Sequence, residues 1–323
     1  MDVTRKIVIL GVGGTIAGLG AEQGGGVGYQ AGLIGIDTLV APVIAGVAKN
    51  LKGSVAFETE QIAQIDSKDM DVITWQCLAS SCIRWLEQED VAGLVITHGT
   101  DTLEETAWFL QCVLQPIKPV VVTCAMRPAT ALSADGPANV RDAVCVAAQG
   151  LPGVWAVAAG EVHAAQAVRK VHPYRINAFT SGAQGPAGWI EEGVVRWVNA
   201  GPSSNVPRAV VPITAWTKSA CLWPWVEIIT STAAANPRMV DALVSAGVQG
   251  LVIAATGNGS VHQAWHTSLQ QARKTGVCVW RTTRCEQGQL VLASGESDAT
   301  ASTLSPVKAR ISMLLELLQR SDA

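Results

Sequence analysis

The feature that most constrains this chain is an alternation that repeats along its length. Apolar runs of strand length are followed by amphipathic stretches of helix length. Residues 6–10, 92–97, 119–124 and 153–158 read as strands, a further strand ends near Ile65, and 37–49, 102–113 and 139–148 read as helices between them. Strands apolar at nearly every position are covered on both faces. The pattern therefore predicts an α/β fold with a mostly parallel sheet flanked by helices. From about Asn199 to Pro224 the composition shifts to Pro, Ser and Asn, as in Gly201-Pro202-Ser203-Ser204-Asn205-Val206-Pro207. Strand and helix patterns then resume at 226–230, 237–246, 250–254, 261–275, 277–280 and 305–320. This predicts a larger N-terminal α/β domain over 1–198, a linker over 199–224 and a smaller C-terminal α/β domain over 225–323.

Charge narrows the function classes. Only 15% of the residues are charged while 49% are hydrophobic. That is little charge for a soluble monomer, so much of the surface is expected to be buried in an oligomer. The net charge of −3, without a Lys/Arg run, argues against nucleic-acid binding. The eight cysteines form no CxxC pair, which leaves no metal signature and reads as buried free thiols in a reducing compartment. The apolar stretch near the N-terminus is too short for a signal peptide or a membrane span, so the expectation is a soluble, cytoplasmic protein with no membrane partner.

In parallel α/β sheets ligands bind beyond the carboxyl ends of the strands, so the segments that follow strands carry the candidates. The first is Gly11-Val12-Gly13-Gly14-Thr15-Ile16-Ala17-Gly18. A dinucleotide fingerprint would need glycine at Ile16, and no Lys-Ser or Lys-Thr pair follows to make a P-loop. What remains is a glycine turn presenting one hydroxyl, Thr15, either as an exposed nucleophile or as part of a plain turn. The second segment, Thr97-His98-Gly99-Thr100-Asp101-Thr102-Leu103-Glu104-Glu105-Thr106, crowds hydroxyls, an imidazole and a carboxylate at the mouth of a helix. Thr102 and Glu105 have capping-box spacing, and capping accounts for part of the cluster but not all of it. His98 at a strand end reads as a hydrogen-bonded structural imidazole rather than a base. In Asp66-Ser67-Lys68-Asp69-Met70 the polar residues read as a cap. The long loop from Ala125 to Asn139 reads either as functionally ordered or as held by an Arg127–Asp135 pair. Lys170 reads as a solvated lysine or, if drawn into a polar cleft, as a base; nothing local chooses.

Together these segments resemble the bacterial-type L-asparaginase family over nearly the whole chain. The resemblance rests on Gly13-Gly14-Thr15-Ile16-Ala17-Gly18, on Ile96-Thr97-His98-Gly99-Thr100-Asp101-Thr102-Leu103-Glu104-Glu105-Thr106-Ala107 and on Ala125-Met126-Arg127-Pro128. It continues through Ser133-Ala134-Asp135-Gly136-Pro137, Thr256-Gly257-Asn258-Gly259 and Leu304-Ser305-Pro306 with Lys308-Ala309-Arg310. It implies hydrolysis of L-asparagine to L-aspartate and ammonia through a threonine acyl-enzyme, with neither metal nor organic cofactor. Thr15 matches the nucleophile and Tyr29 the tyrosine of a mobile loop, for which the glycine-rich run 20–28 supplies hinges. Thr100, Asp101 and Lys170 match a second triad. Ser67 and Asp101 match groups holding the substrate's α-carboxylate and α-amino group, and Asn258 an asparagine supplied by a neighbouring subunit of a homotetramer built from dimers. Lys68 stands where many family members carry glutamine, which implies altered recognition of the α-carboxylate. A broader glutaminase-asparaginase and a catalytically inactive amino-acid sensor on the same fold are the alternatives.

Overall fold

The computed structural model describes residues 5–20, 28–47, 55–198, 211–292 and 300–320. It divides into two compact units, Met1–Val210 and Val211–Ala323. Most of the glycine-rich run (21–27) and the first part of the expected linker (199–210) lie outside the described residues.

The first unit opens with β1 (Arg5–Gly13), the two-residue strands β2 (Leu19–Gly20) and β3 (Tyr29–Gln30), and α1 (Ile36–Val47). It continues through β4 (Val55–Ile65), α2 (Val72–Leu86), β5 (Val91–Thr97), α3 (Leu103–Leu114), β6 (Pro119–Thr123), α4 (Gly136–Gln149) and β7 (Gly153–Ala158). It closes with β8 (Glu161–Ala164), β9 (Arg169–Lys170), β10 (Phe179–Thr180), β11 (Gly188–Glu191) and β12 (Val194–Trp197). Eight of these strands form one sheet in the order β12-β11-β8-β7-β6-β5-β1-β4.

Strands β4, β1, β5, β6 and β7 run parallel, as the apolar runs predict. Strands β7, β8, β11 and β12 pair antiparallel and extend one edge, an extension the sequence pattern did not announce. The chain leaves β1 to build β4 on one side and returns to build β5 on the other, so the sheet changes winding direction beside β1. Such switch points leave a crevice at the strands' carboxyl ends. Helix α1 packs with α4 and α2 with α3. Asp71 starts α2 by accepting from the Thr74 N–H at 2.8 Å, and Pro137 sits in the first turn of α4, where its missing N–H costs nothing.

The second unit holds a three-stranded parallel sheet of β13 (Val226–Thr230), β14 (Gly250–Ala255) and β15 (Cys278–Thr283). Its helices are α5 (Ile213–Trp216), α6 (Arg238–Ser245), α7 (His266–Lys274) and α8 (Pro306–Arg320). The unit begins before the expected residue 225. The stretch after Val211 folds into α5, which buries Ala215 and Trp216 and packs on α8. The helix expected over 261–275 starts as a 3-10 turn, Gln263–Trp265, before α7.

Candidate active site

Three loops meet at the carboxyl ends of β1, β4 and β5. The first leaves β1 through Gly13 and Gly14, at φ 114° and 81°, a region closed to most side chains. A Cβ on Gly14 would fall 2.2 Å from Gly99 Cα, and one on Gly99 would fall 2.4 Å from Ser67 Oγ. The loops after β1, β4 and β5 can approach this closely only because two of the contacting residues lack side chains. One residue beyond the contact stand Thr15 on the first loop and Thr100 on the third.

Thr15 opens a 3-10 turn, Thr15–Ala17, and is buried. Its Oγ1 lies 2.7 Å from the Tyr29 hydroxyl. Tyr29 is brought there by the β2–β3 ribbon, where it pairs with Gly20, and its ring covers Gly18, whose missing side chain leaves the room. The loop after β6 holds this ribbon from below: Gly20 N–H donates to Thr130 Oγ1 at 2.8 Å, and Ala129 N–H donates to the Gly18 carbonyl at 3.0 Å.

The second cluster gathers around Lys170. Its ammonium donates to Thr100 Oγ1 at 2.8 Å and to Asp101 Oδ1 at 2.5 Å. Ser67, only 2% exposed, accepts from the Asp101 N–H at 3.2 Å. The chain thus brings Thr15 to Tyr29, and Ser67, Thr100, Asp101 and Lys170 to one another, and the Gly14–Gly99 contact joins the two groups. Lys170 is neither free nor solvated; its side chain is only 16% exposed.

Two expectations, for Thr102 and for the 125–139 loop, are corrected, and Lys68 and Asn258 are placed. Thr102 stands at the N-cap of α3, but its side chain makes no capping bond; its hydroxyl donates to the Ser67 carbonyl at 2.8 Å and ties the third loop to the second. Asp135 does not pair with the Arg127 guanidinium. Its carboxylate accepts from the backbone N–H groups of Met126 and Arg127, both at 2.9 Å, and from Asn139 Nδ2 at 3.2 Å. The guanidinium instead lies 3.9 Å over the Tyr174 ring and donates to the Tyr174 carbonyl. The Lys68 ammonium is engaged by its own turn, with Asp69 at 2.9 Å and Asp66 at 3.0 Å, and these partners hold its pKa above the ordinary lysine value. Asn258 belongs to the second unit, where its side-chain amide exchanges two 2.8 Å hydrogen bonds with the backbone of Val291.

His98 is fully buried, as a structural imidazole would be. Trp75 Nε1–H donates to Thr106 Oγ1 at 2.9 Å, so the Thr106 hydroxyl proton is free to point at His98 Nε2, 2.9 Å away. That leaves Nδ1 as the protonated nitrogen, donating to the Gly99 carbonyl at 2.7 Å. Burial, partly offset by that bond, lowers the imidazole pKa to about 4, which keeps the ring neutral as it braces the Gly99 turn.

Sequence reasoning passed over Glu104. Its Oε1 accepts from the Lys170 backbone N–H at 3.2 Å. Its place three residues after Asp101 on the same polar stretch is the signal that could have marked it.

Comparison with known proteins gives a consistent picture. The family described as "Asparaginase, N-terminal" matches residues 6–202, and "Glutaminase/Asparaginase C-terminal domain" matches residues 225–323. A glutaminase-asparaginase of Pseudomonas fluorescens is 36% identical, covering 98% of this chain and 88% of that protein. A probable periplasmic L-asparaginase of Haemophilus influenzae is 37% identical over 98% of this chain and 90% of its own length. The crystal structure of a probable cytoplasmic L-asparaginase from Campylobacter jejuni superposes with a TM-score of 0.84 at 34% identity, covering 97% of this chain and 95% of that one.

Proposed function

The chain belongs to the asparaginase family and is an amidohydrolase acting on asparagine, and from that premise we propose that Thr15 is its nucleophile. Thr15 Oγ1 attacks the side-chain amide carbon of L-asparagine. Collapse of the tetrahedral intermediate expels ammonia and leaves a β-aspartyl ester on Thr15. Water then attacks the ester, releasing L-aspartate and restoring the hydroxyl. Tyr29, 2.7 Å from Thr15 Oγ1, relays the proton: its hydroxyl takes the Thr15 proton as it passes its own to the departing amine. Lys170 polarises Thr100 or a water for the second step. Backbone N–H groups of the glycine turn and near Thr100 hold the oxyanion, where losing one donor typically costs about 100- to 1,000-fold in rate.

The observation that carries this reading is a buried threonine hydroxyl in contact with a tyrosine hydroxyl, on a turn pressed against the loop bearing the Thr100–Asp101–Lys170 cluster. Ser67 and Asp101 hold the substrate's α-carboxylate and α-amino group. Lys68, tied to Asp66 and Asp69, brings a charge to this rim. Asn258 completes the site of a neighbouring subunit in a homotetramer built from dimers. The sparse charge supports such an assembly, as do the exposed apolar side chains of Ile117, Leu132 and Val291. We place the protein in the cytoplasm, in line with the name of the Campylobacter jejuni structure; cell fractionation tests this against the periplasmic name of the Haemophilus influenzae relative.

Thr15→Ala is expected to abolish ammonia release from L-asparagine while circular dichroism stays unchanged. Turnover above a few percent of the starting enzyme would remove Thr15 from its role. The name of the Pseudomonas fluorescens relative favours a second reading, a glutaminase-asparaginase, and kcat/KM measured on both amides separates the two.

A further inference from the structure

We propose that Glu104 is a positioning residue for Lys170, holding the backbone of that lysine while Thr100 and Asp101 hold its ammonium. The inference rests on the catalytic reading of Lys170 given above.

Lys170 lies on β9, a strand of two residues. One edge of β9 is supported: Phe179 is the register partner of Lys170, and Val171 N–H donates to the Ala178 carbonyl at 2.8 Å. The Lys170 N–H does not join that ladder. It donates to Glu104 Oε1 at 3.2 Å across 66 positions of sequence. The ammonium of the same residue donates to Thr100 at 2.8 Å and to Asp101 at 2.5 Å. One short stretch at the start of α3, from Thr100 to Glu104, therefore grips Lys170 at both ends of its side chain. A lysine stem has four rotatable bonds, and fixing only the ammonium leaves its root free to drift with a strand this short. Gripping the root as well fixes where the ammonium can reach, and a misplacement of about 1 Å in such a group can cost about 100-fold in rate.

A competing role for Glu104 is local. A carboxylate in the first turn of a helix is favoured by the helix dipole whatever it touches. The two roles separate by chemistry. The dipole role needs the charge, whereas the grip needs an acceptor oxygen at that place and tolerates an uncharged one.

The test compares Glu104→Ala, Glu104→Gln and Lys170→Met in the full chain, with ammonia release from L-asparagine and thermal unfolding as readouts. Glu104→Ala is expected to lower kcat about 10- to 100-fold with KM moving less than about threefold. Glu104→Gln is expected to keep at least about half of the starting kcat, because its amide oxygen still accepts the Lys170 N–H. If Glu104→Ala does not fold, Glu104→Met, which keeps the stem and lacks an acceptor, takes its place in the comparison. A kcat unchanged in the acceptor-less variant overturns the inference, and so does an equal loss of kcat in the Gln and acceptor-less variants. Lys170→Met tells the two readings apart. If it is inactive while Glu104→Ala is fully active, only the role of Glu104 falls. If Lys170→Met turns over normally, the catalytic reading of Lys170 falls and this inference with it.

Discussion

Gly14 and Gly99 touch backbone to backbone: a Cβ on Gly14 would sit 2.2 Å from Gly99 Cα and 2.4 Å from Gly99 N. Gly14 also holds φ at 81°, where an L side chain is strained even in open space. Gly14→Ala therefore combines backbone strain with a clash that neither loop can relieve by turning a side chain. It is expected to cost about 3 kcal/mol or more, and to lower Tm by more than about 5 °C. Gly28, at φ 75°, provides the control, because nothing lies within 4 Å of its added Cβ. Gly28→Ala should cost only the strain, about 1 kcal/mol. Equal Tm values for the two variants would mean that the first and third loops do not meet as described.

Tyr29 and Thr15 share one hydrogen bond, and Tyr29→Phe removes it while keeping the ring against Gly18. If the tyrosine hydroxyl handles the threonine proton, kcat falls roughly 100-fold while KM and Tm stay close to their starting values. A loss confined to KM would instead assign Tyr29 to closing over the substrate, and normal kinetics would leave the contact without a function.

Much of this site could be read from residue order because its parts follow strands. An apolar run that ends in glycines and hydroxyls places those groups at the carboxyl edge of a parallel sheet, and β1 and β5 both do so. Helix α2 was also legible in principle: Trp75, Leu78, Ala79 and Cys82 are buried at helical spacing, a stripe the strand-centred reading passed over. The β8, β11 and β12 strands are four residues each, too short for a periodic signal to stand out. Contacts that depend on distant sequence stayed hidden. Nothing near Lys170 indicates that Glu104 takes its N–H, and nothing in the 125–139 loop tells whether Asp135 meets a guanidinium or backbone amides. It meets amides because its oxygens face the turn that Met126 and Arg127 make after β6, leaving the guanidinium to stack on Tyr174.

His98 makes a prediction about acid stability that its place beside the site would not suggest. Its ordinary pKa is 6.5, and in the folded chain burial brings it to about 4. Between those values the unfolded chain binds a proton that the folded chain refuses, so stability rises with pH across that window. The contribution is complete above about pH 6.5 and is lost as pH falls toward 4, on the order of 3 kcal/mol in all. Thermal unfolding of the starting protein should therefore weaken steadily from pH 7 to pH 4. His98→Asn keeps a donor near the Gly99 carbonyl but cannot reach Thr106, so its Tm should be lower at neutral pH. Asparagine does not titrate, so its decline over the same range should be shallower. Carboxylates elsewhere contribute acid sensitivity to both proteins and cancel in the comparison. Parallel declines would show that His98 is not the neutral, Nδ1-protonated brace of the Gly99 turn.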